Sequence, residues 1–278
     1  MKKGKTETLV KEFERHLVEN ERSRATVEKY IRDVRAYLAF SGGAVSRDFL
    51  IGYKDRLRAD YKVASANSML AAINSFLKFI GRGELALKRF RAQRAAFCPE
   101  DKDLTREEYA KLVREAKRRK DDKLELIMQT ICATGIRVSE LSYITREAVE
   151  RGEATVICKG KTRRIFIVKD LRKRLLSYIG KNRIKRGAIF LTSNKKPISR
   201  THVWRIMKAL CQSARVVASK VFPHNLRHLF AKTFYSIEKD ISKLADILGH
   251  ASIDTTRIYI TTSAAEHRRK MENMRLVI

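Results

Sequence analysis

PHNLRHLFAKTFYSI, residues 223–237, is the most informative stretch of the chain. Leu226, Leu229, Phe230, Thr233 and Ile237 recur three and four apart, the spacing of one buried helix face. His224 and Arg227, three apart, share a different face. An arginine and a histidine presented together off a core stripe can hold a phosphate, because the guanidinium offers a planar fork and the imidazole a directional hydrogen bond. Taken alone, the pair reads more simply as a solvated helix face with a histidine near its start.

Working outward, Ile241, Leu244, Ala245 and Leu248 predict a further amphipathic helix closed by Gly249, with His250 directly after it. ASIDTTRIYI follows, and Tyr259 falls in a short helix, where a lone tyrosine is ordinarily a packing residue. Upstream, helices are expected near 199–213 and 170–179, with a short strand at 188–192. ATVIC (154–158) and RIFIV (164–168) read as two strands around the turn KGKTR, a β-hairpin with Lys159 in its turn. Leu124, Ile127, Met128 and Ile131 predict a buried helix ended by Gly135, a residue suited to a left-handed cap. In ATGIRVSEL just beyond, Arg137 and Glu140 are spaced so that the carboxylate orients the guanidinium while Val138 and Leu141 point inward. Thr105 and Glu108 form a capping box, with Leu104 and Tyr109 as its hydrophobic staple.

The first ninety residues differ in pattern. Leu9, Phe13 and Leu17, then Val27, Tyr30, Ile31, Val34, Tyr37 and Leu38, then Phe49, Leu50, Tyr53 and Leu57, and finally Met69, Ile73, Phe76, Leu77 and Ile80 mark four helices. Gly42-Gly43 and Gly81-Arg82-Gly83 punctuate them. The expectation is a helical bundle over 1–90, a linker over 91–103 containing Pro99, a second domain over 104–262 and a tail over 263–278. The fold class is mainly α with a small antiparallel β-sheet.

Charge names a partner. Across 278 residues, 61 Lys and Arg oppose 31 Asp and Glu, a net +30, and 44% hydrophobic content excludes a disordered basic tail. Residues 1–100 carry 21 basic and 12 acidic residues (+9), leaving 40 and 19 (+21) for the rest, so both parts suit one polyanion. A membrane role fits poorly, since no apolar run approaches the roughly 18 residues of a spanning helix. The charged start MKKGKTETLVKEFERH has no signal-peptide core, and Cys98, Cys132, Cys158 and Cys211 lie far apart. These features predict a cytoplasmic protein with reduced thiols and no zinc site.

TGIRVSEL, KGKTRR, PHNLRH, LGHASIDTT and the final IY occur in an order and spacing that resembles the tyrosine recombinase (phage integrase) family, especially its short Xer-like members. The resemblance covers about residues 104–262, and the N-terminal bundle is similar to that family's core-binding domain. Cys158 departs from it, standing where many relatives have glycine before the hairpin lysine. The resemblance implies that Arg137 and Arg227 clamp the scissile phosphate, that His224 and His250 complete the cage, and that Glu140 supports Arg137. It further implies that Lys159 protonates the departing 5′ oxygen and that Tyr259 is the nucleophile, forming a 3′-phosphotyrosyl bond.

Two arginines and hydrogen-bonding histidines would meet the charge that gathers on phosphate oxygens in the transition state. No metal-site carboxylate cluster and no GxxxxGK[ST] sequence is present, so neither metal, ATP nor another cofactor is expected. Double-stranded DNA at a specific site is the expected partner, with cleavage, strand exchange through a Holliday junction and religation. Candidate DNA-facing residues are Arg163, Arg164, Arg200 and Arg205, with Arg22, Arg24, Lys29 and His202 behind them. The apolar close Met271, Met274, Leu276, Val277 and Ile278 suggests a tail exchanged between subunits of a homotetramer. The length predicts a chain without an added arm-binding domain. Two rivals remain: a type IB topoisomerase with the same chemistry, and an inactive DNA-binding protein of the same fold.

Overall fold

The computed structural model describes residues 3–91, 103–158, 161–250, 252–260, 268–269 and 271–274. Chain contacts divide it into two compact units, Met1–Arg94 and Ala95–Ile278. Most of the expected linker, Lys159, residues 261–262, and residues 263–267, 270 and 275–278 of the tail lie outside the described residues.

The first unit contains α1 (Lys3–Glu19), α2 (Arg24–Phe40), α3 (Arg47–Asp60) and α4 (Val63–Phe79). Ser23 and Ser46 cap α2 and α3 by accepting the backbone N–H of Thr26 and Phe49. Phe13, Leu17, Val34, Tyr37, Leu50, Leu57, Ile73 and Phe76 form its core, as their spacing predicts. Phe49 does not join them and is exposed, whereas Val10, outside the expected stripe, is buried. Two asparagines on α4 extend the unit beyond its helices. The Asn74 amide both donates to Leu87 O and accepts from Leu87 N, and Asn67 does the same with Phe90. Residues 87–90 are thereby tied along α4 without a strand partner.

In the second unit the Thr105–Glu108 capping box opens α5 (Arg106–Arg118), and Asp121 caps α6 (Asp122–Thr134). Next come α7 (Arg146–Arg151), β1 (Glu153–Cys158), β2 (Lys161–Phe166) and α8 (Lys169–Lys181). After these are α9 (Arg200–Lys208), α10 (Cys211–Ala214), α11 (Pro223–Glu238), α12 (Ile241–Leu248) and α13 (Ile253–Ile260). α6 is the centre, with Leu124, Ile127, Met128 and Ile131 buried, and α5, α8, α9 and α11 pack around it. Truncating Ile127 or Met128 to alanine should cost about 2–5 kcal/mol. Cys132 and Cys211 are free thiols.

Four expectations are corrected. The segment 188–192 forms only isolated bridges, Thr145 with Ala188 and Leu191 with Pro197, and no strand. The helix expected over 199–213 is two helices, separated where Leu210 N bonds Met207 O in a tighter turn. β2 begins at Lys161, paired with Cys158, so the hairpin turn is shorter than KGKTR. On α11, Thr233 and Ile237 are exposed, while Arg227 and His228 are buried with Leu226. That helix packs against α6, α9, α12 and α13, so it has more than one interior face.

Candidate active site

The site begins where α6 ends. Gly135 takes a left-handed conformation, φ +65°, and a Cβ there would lie 2.5 Å from the Phe230 ring. The reversal delivers Arg137 to a cleft. Glu140 holds it at two points: Oε2 accepts the Arg137 backbone N–H at 2.9 Å, and Oε1 accepts from Nη1 at 2.8 Å. Burial pushes the Glu140 carboxyl up. The hydrogen bonds from Arg137 and the charges of Arg163 and Arg137 outweigh that, leaving the group below its ordinary range and ionised.

Arg227 enters from the first turns of α11, which starts with Pro223 at its first position. Its side chain is almost wholly enclosed, at 2% exposure. Nη1 donates to Gly135 O at 2.5 Å, while Nη2 donates to Leu248 O at 2.7 Å and to His250 Nε2 at 3.0 Å. Those carbonyls are the ends of α6 and α12, where peptide dipoles concentrate negative charge. A buried guanidinium is tolerable there. Burial first, and then the charge of Arg137, lower its pKa to about 10, so it stays protonated at neutral pH.

α12 closes at Gly249, φ +62°, and three consecutive carbonyls at this terminus are taken by three different arginines. Arg163 Nη1 donates to Ile247 O, Arg227 to Leu248 O, and Arg137 Nη2 to Gly249 O at 3.2 Å.

His250 follows. Because arginine only donates, His250 Nε2 must accept from Arg227. Nδ1 therefore carries the proton and donates to Thr256 Oγ1 at 2.8 Å. Burial, then Arg227, Arg137, Arg163 and His224, bring the imidazole pKa down to about 4, which keeps it neutral. Tyr259 on α13 is buried among three imidazoles: His250 stacked at 5.5 Å, His228 edge-on at 5.0 Å and His224 at 5.6 Å between centroids. Its hydroxyl lies 3.4 Å from His224 Nε2. Burial against the cleft wall, then Arg227, His228, Arg200 and Arg137, lower the His224 pKa and favour the neutral ring.

Arg137, His224 and Arg227 line a cleft of about 480 Å³, with Arg200, Thr201 and Trp204 opposite. Among the described residues, no group of three or more His, Cys, Asp or Glu is arranged to hold a metal.

Residues 102–266 match the phage integrase family, and residues 10–83 match the phage integrase N-terminal SAM-like domain. The chain is 31% identical to tyrosine recombinase XerA of Pyrococcus furiosus over 97% of its own length and 94% of the relative's. The chain belongs to the phage integrase family. Tyrosine recombinases of this family cleave and rejoin DNA at specific sites, and that is the activity of this chain. Another relative, tyrosine recombinase XerD of Halalkalibacterium halodurans, is 28% identical over 87% of this chain and 88% of the relative. Among solved structures, a λ integrase(75–356) dimer bound to a COC′ core site covers 91% of this chain and 94% of that chain, with a TM-score of 0.71 at 17% identity.

Within this integrase fold, Arg137, Arg200, His224 and Arg227 line one cleft, and Glu140, His250 and Tyr259 contact Arg137, Arg227 and His224 in turn. Lys159 lies outside the described residues. Arg164 points outward to Glu153 and over the Phe166 ring, and exposed Arg205 contacts His202 Nδ1 at 3.2 Å. Arg163 corrects its expected DNA-facing role. The register pairs it with Val156 on the inner face of the hairpin, and its side chain is only 11% exposed.

Sequence reasoning missed four supports of the site: Asp103, His228, Lys232 and Thr256. His228 Nδ1 lies 3.1 Å from Asp103 Oδ1, and Asp103 also pairs with Lys232. Burial raises the Asp103 carboxyl, but the His228 and Lys232 hydrogen bonds and charges prevail and bring it to about 2. His224, His228 and Lys232 recur at i, i+4 and i+8, a signal that one face of α11 is polar throughout. Thr256, three residues before Tyr259, carried no such signal.

Proposed function

We propose that this recombinase cuts DNA with Tyr259 as nucleophile. In this reading Arg137 and Arg227 grip the non-bridging oxygens of the scissile phosphate, and His250 contributes by holding Arg227. The neutral His224 accepts the phenol proton through Nε2. The Tyr259 oxygen then bonds to phosphorus, and the bond to the 5′ oxygen breaks. Lys159 gives that oxygen its proton, leaving a 5′-hydroxyl and a 3′-phosphotyrosyl link.

The observation that carries the reading is the 3.4 Å approach of the Tyr259 hydroxyl to His224, which lines one cleft with both arginines, all from one chain. Transition-state charge is met by preorganised guanidinium groups, so the reaction proceeds without metal. The phosphotyrosyl link retains the energy of the phosphodiester, so religation proceeds without ATP.

The unit at 1–90 serves as the core-binding domain, joined through 91–103 to the catalytic domain at 104–262. Arg200, at the cleft wall, contacts the DNA backbone, as do exposed Arg164 and Arg205. A homotetramer exchanging its 263–278 tails carries out strand exchange through a Holliday junction in the cytoplasm, as dimer resolution or as integration and excision. Its support is the fold shared with a λ integrase tetramer bound to a Holliday junction, TM-score 0.69 at 18% identity.

The test is a nicked suicide substrate bearing the cognate site. The wild-type protein should form a covalent adduct that Tyr259→Phe cannot. An adduct with the phenylalanine variant, or none with the wild type on any cognate DNA, overturns the proposal.

A further inference from the structure

Arg163 is an anchored side chain of the second unit that the proposed chemistry leaves unused. It lies on β2, whose register turns it to the inner face opposite Val156. Nη1 donates to Ile247 O at the end of α12, and Nη2 donates to Glu140 Oε2 at 2.5 Å. The same Oε2 accepts the Arg137 backbone N–H, while Oε1 holds the Arg137 guanidinium. Glu140 therefore stands between two arginines, and the position of one constrains the other. The fit is close. A Cβ on Gly249 would lie 2.6 Å from Arg163 Cδ and 3.0 Å from its Nε, so a side chain there would displace Arg163.

Resting on the functional reading above, we infer that Arg163 is a positioning residue for cleavage. It fixes Glu140 from the side opposite Arg137, and so sets the angle at which Arg137 meets the phosphate. It also ties β2, the strand that follows Lys159 in sequence, to the end of α12 where Arg137 and Arg227 are anchored. One guanidinium thus couples the hairpin to both arginines of the clamp. Lysine cannot replace it, because a single ammonium does not span Ile247 O and Glu140 in one plane.

The experiment measures single-turnover adduct formation and DNA affinity for Arg163→Met, Arg163→Lys, Glu140→Gln and the double variant Arg163→Met/Glu140→Gln. Arg163→Met should slow cleavage about 10- to 100-fold, the range expected when a reacting group is misplaced by an ångström or less. DNA affinity should change less than about twofold, because the side chain is turned inward and only 11% exposed. Arg163→Lys should recover only part of the rate.

The decisive result is coupling. If Arg163 acts through Glu140, the double variant cleaves about as fast as Glu140→Gln alone, whereas independent effects multiply. Melting of each variant separates rate loss from unfolding, and Arg163→Lys carries the test if Arg163→Met does not fold. Wild-type cleavage by Arg163→Met, multiplicative losses, or a matching loss of DNA affinity would overturn the inference. Failure of the wild type to form an adduct would instead overturn the functional reading beneath it.

Discussion

The cleft should bind a divalent oxyanion, and that binding should be measurable as stability. Glu140 pairs with Arg137 and Arg163, while Arg227 is held by His250 and backbone carbonyls, which leaves positive charge in excess. The strain is legible at Arg227, whose pKa is lowered from the ordinary arginine value to about 10. A depressed base disfavours its charged form in the folded state, so the cost is fully present below pH 10 and disappears only above the ordinary arginine pKa. A lowering of this size corresponds to about 3 kcal/mol, with desolvation the largest cause and repulsion from Arg137 the next. A dianion in the cleft opposes both. If it offsets half, about 1–2 kcal/mol, the melting temperature of a unit this size rises by about 2–8 °C. Mass action gives that gain at about 4–30 times the dissociation constant.

Trp204 makes the measurement local, since it is the sole tryptophan and lies on α9 at the cleft. Its fluorescence should be followed through thermal melts in sodium sulfate and in sodium chloride of matched ionic strength. Sulfate also stabilises proteins by exclusion from their surface. The control for that effect is Arg137→Met, which removes an anion ligand and leaves Glu140 paired to Arg163. A sulfate increment that survives in Arg137→Met, or one no larger than that of chloride, would refute the anion cradle.

Three further outcomes are expected. A neutral His224 is needed to accept the phenol proton, so the rate of adduct formation should fall toward acid pH with a midpoint below the ordinary histidine value near 6.5. Arg200→Met removes one charge that lowers this pKa and should move the midpoint upward; a fixed midpoint would show that His224 is not the titrating base. Thr256→Val removes the acceptor of His250 Nδ1–H at a fully buried position, which should lower the melting stability by about 1–3 kcal/mol and slow cleavage, whereas unchanged cleavage would detach His250 from the clamp. Asp103, with its pKa held at about 2, contributes stability that is present above the unfolded carboxylate value near 3.9 and is lost as pH falls through 2. Asp103→Asn should flatten that acid limb in pH-dependent melts, and an undiminished limb would place the titration elsewhere.

The features legible in the sequence were those that local chemistry determines. The capping box at Thr105 and the left-handed stop at Gly135 depend on a few neighbouring residues, and they occur where their residue types predict. Convergence of Arg137, His224, Arg227, His250 and Tyr259 was legible only through the ordered motifs, because no spacing rule joins α6 to α13. Arg163 shows where local reading failed. A turn spanning KGKTR would start the second strand at Arg164, yet β2 starts at Lys161, and side-chain direction along a strand follows register. Two adjacent arginines therefore took opposite fates, Arg163 inward to Glu140 and Arg164 outward to Glu153. The Asp103–His228 contact was beyond reach for another reason: it joins residues 125 apart in sequence.

What assembles the like-charged clamp is the end of α12. Guanidinium groups this close repel one another, and Glu140 cannot neutralise all of them. Ile247, Leu248 and Gly249 offer three successive carbonyls that no further turn of helix uses, at the negative end of the helix dipole. Each accepts from a different arginine, so the geometry of the clamp is dictated by the spacing of a peptide backbone. Gly249 permits this twice, by adopting φ +62° and by leaving the space that the Arg163 side chain fills. The backbone carbonyls stay in place when phosphate arrives, so the arginines meet the transition state already aimed, with little reorganisation left to oppose the chemistry.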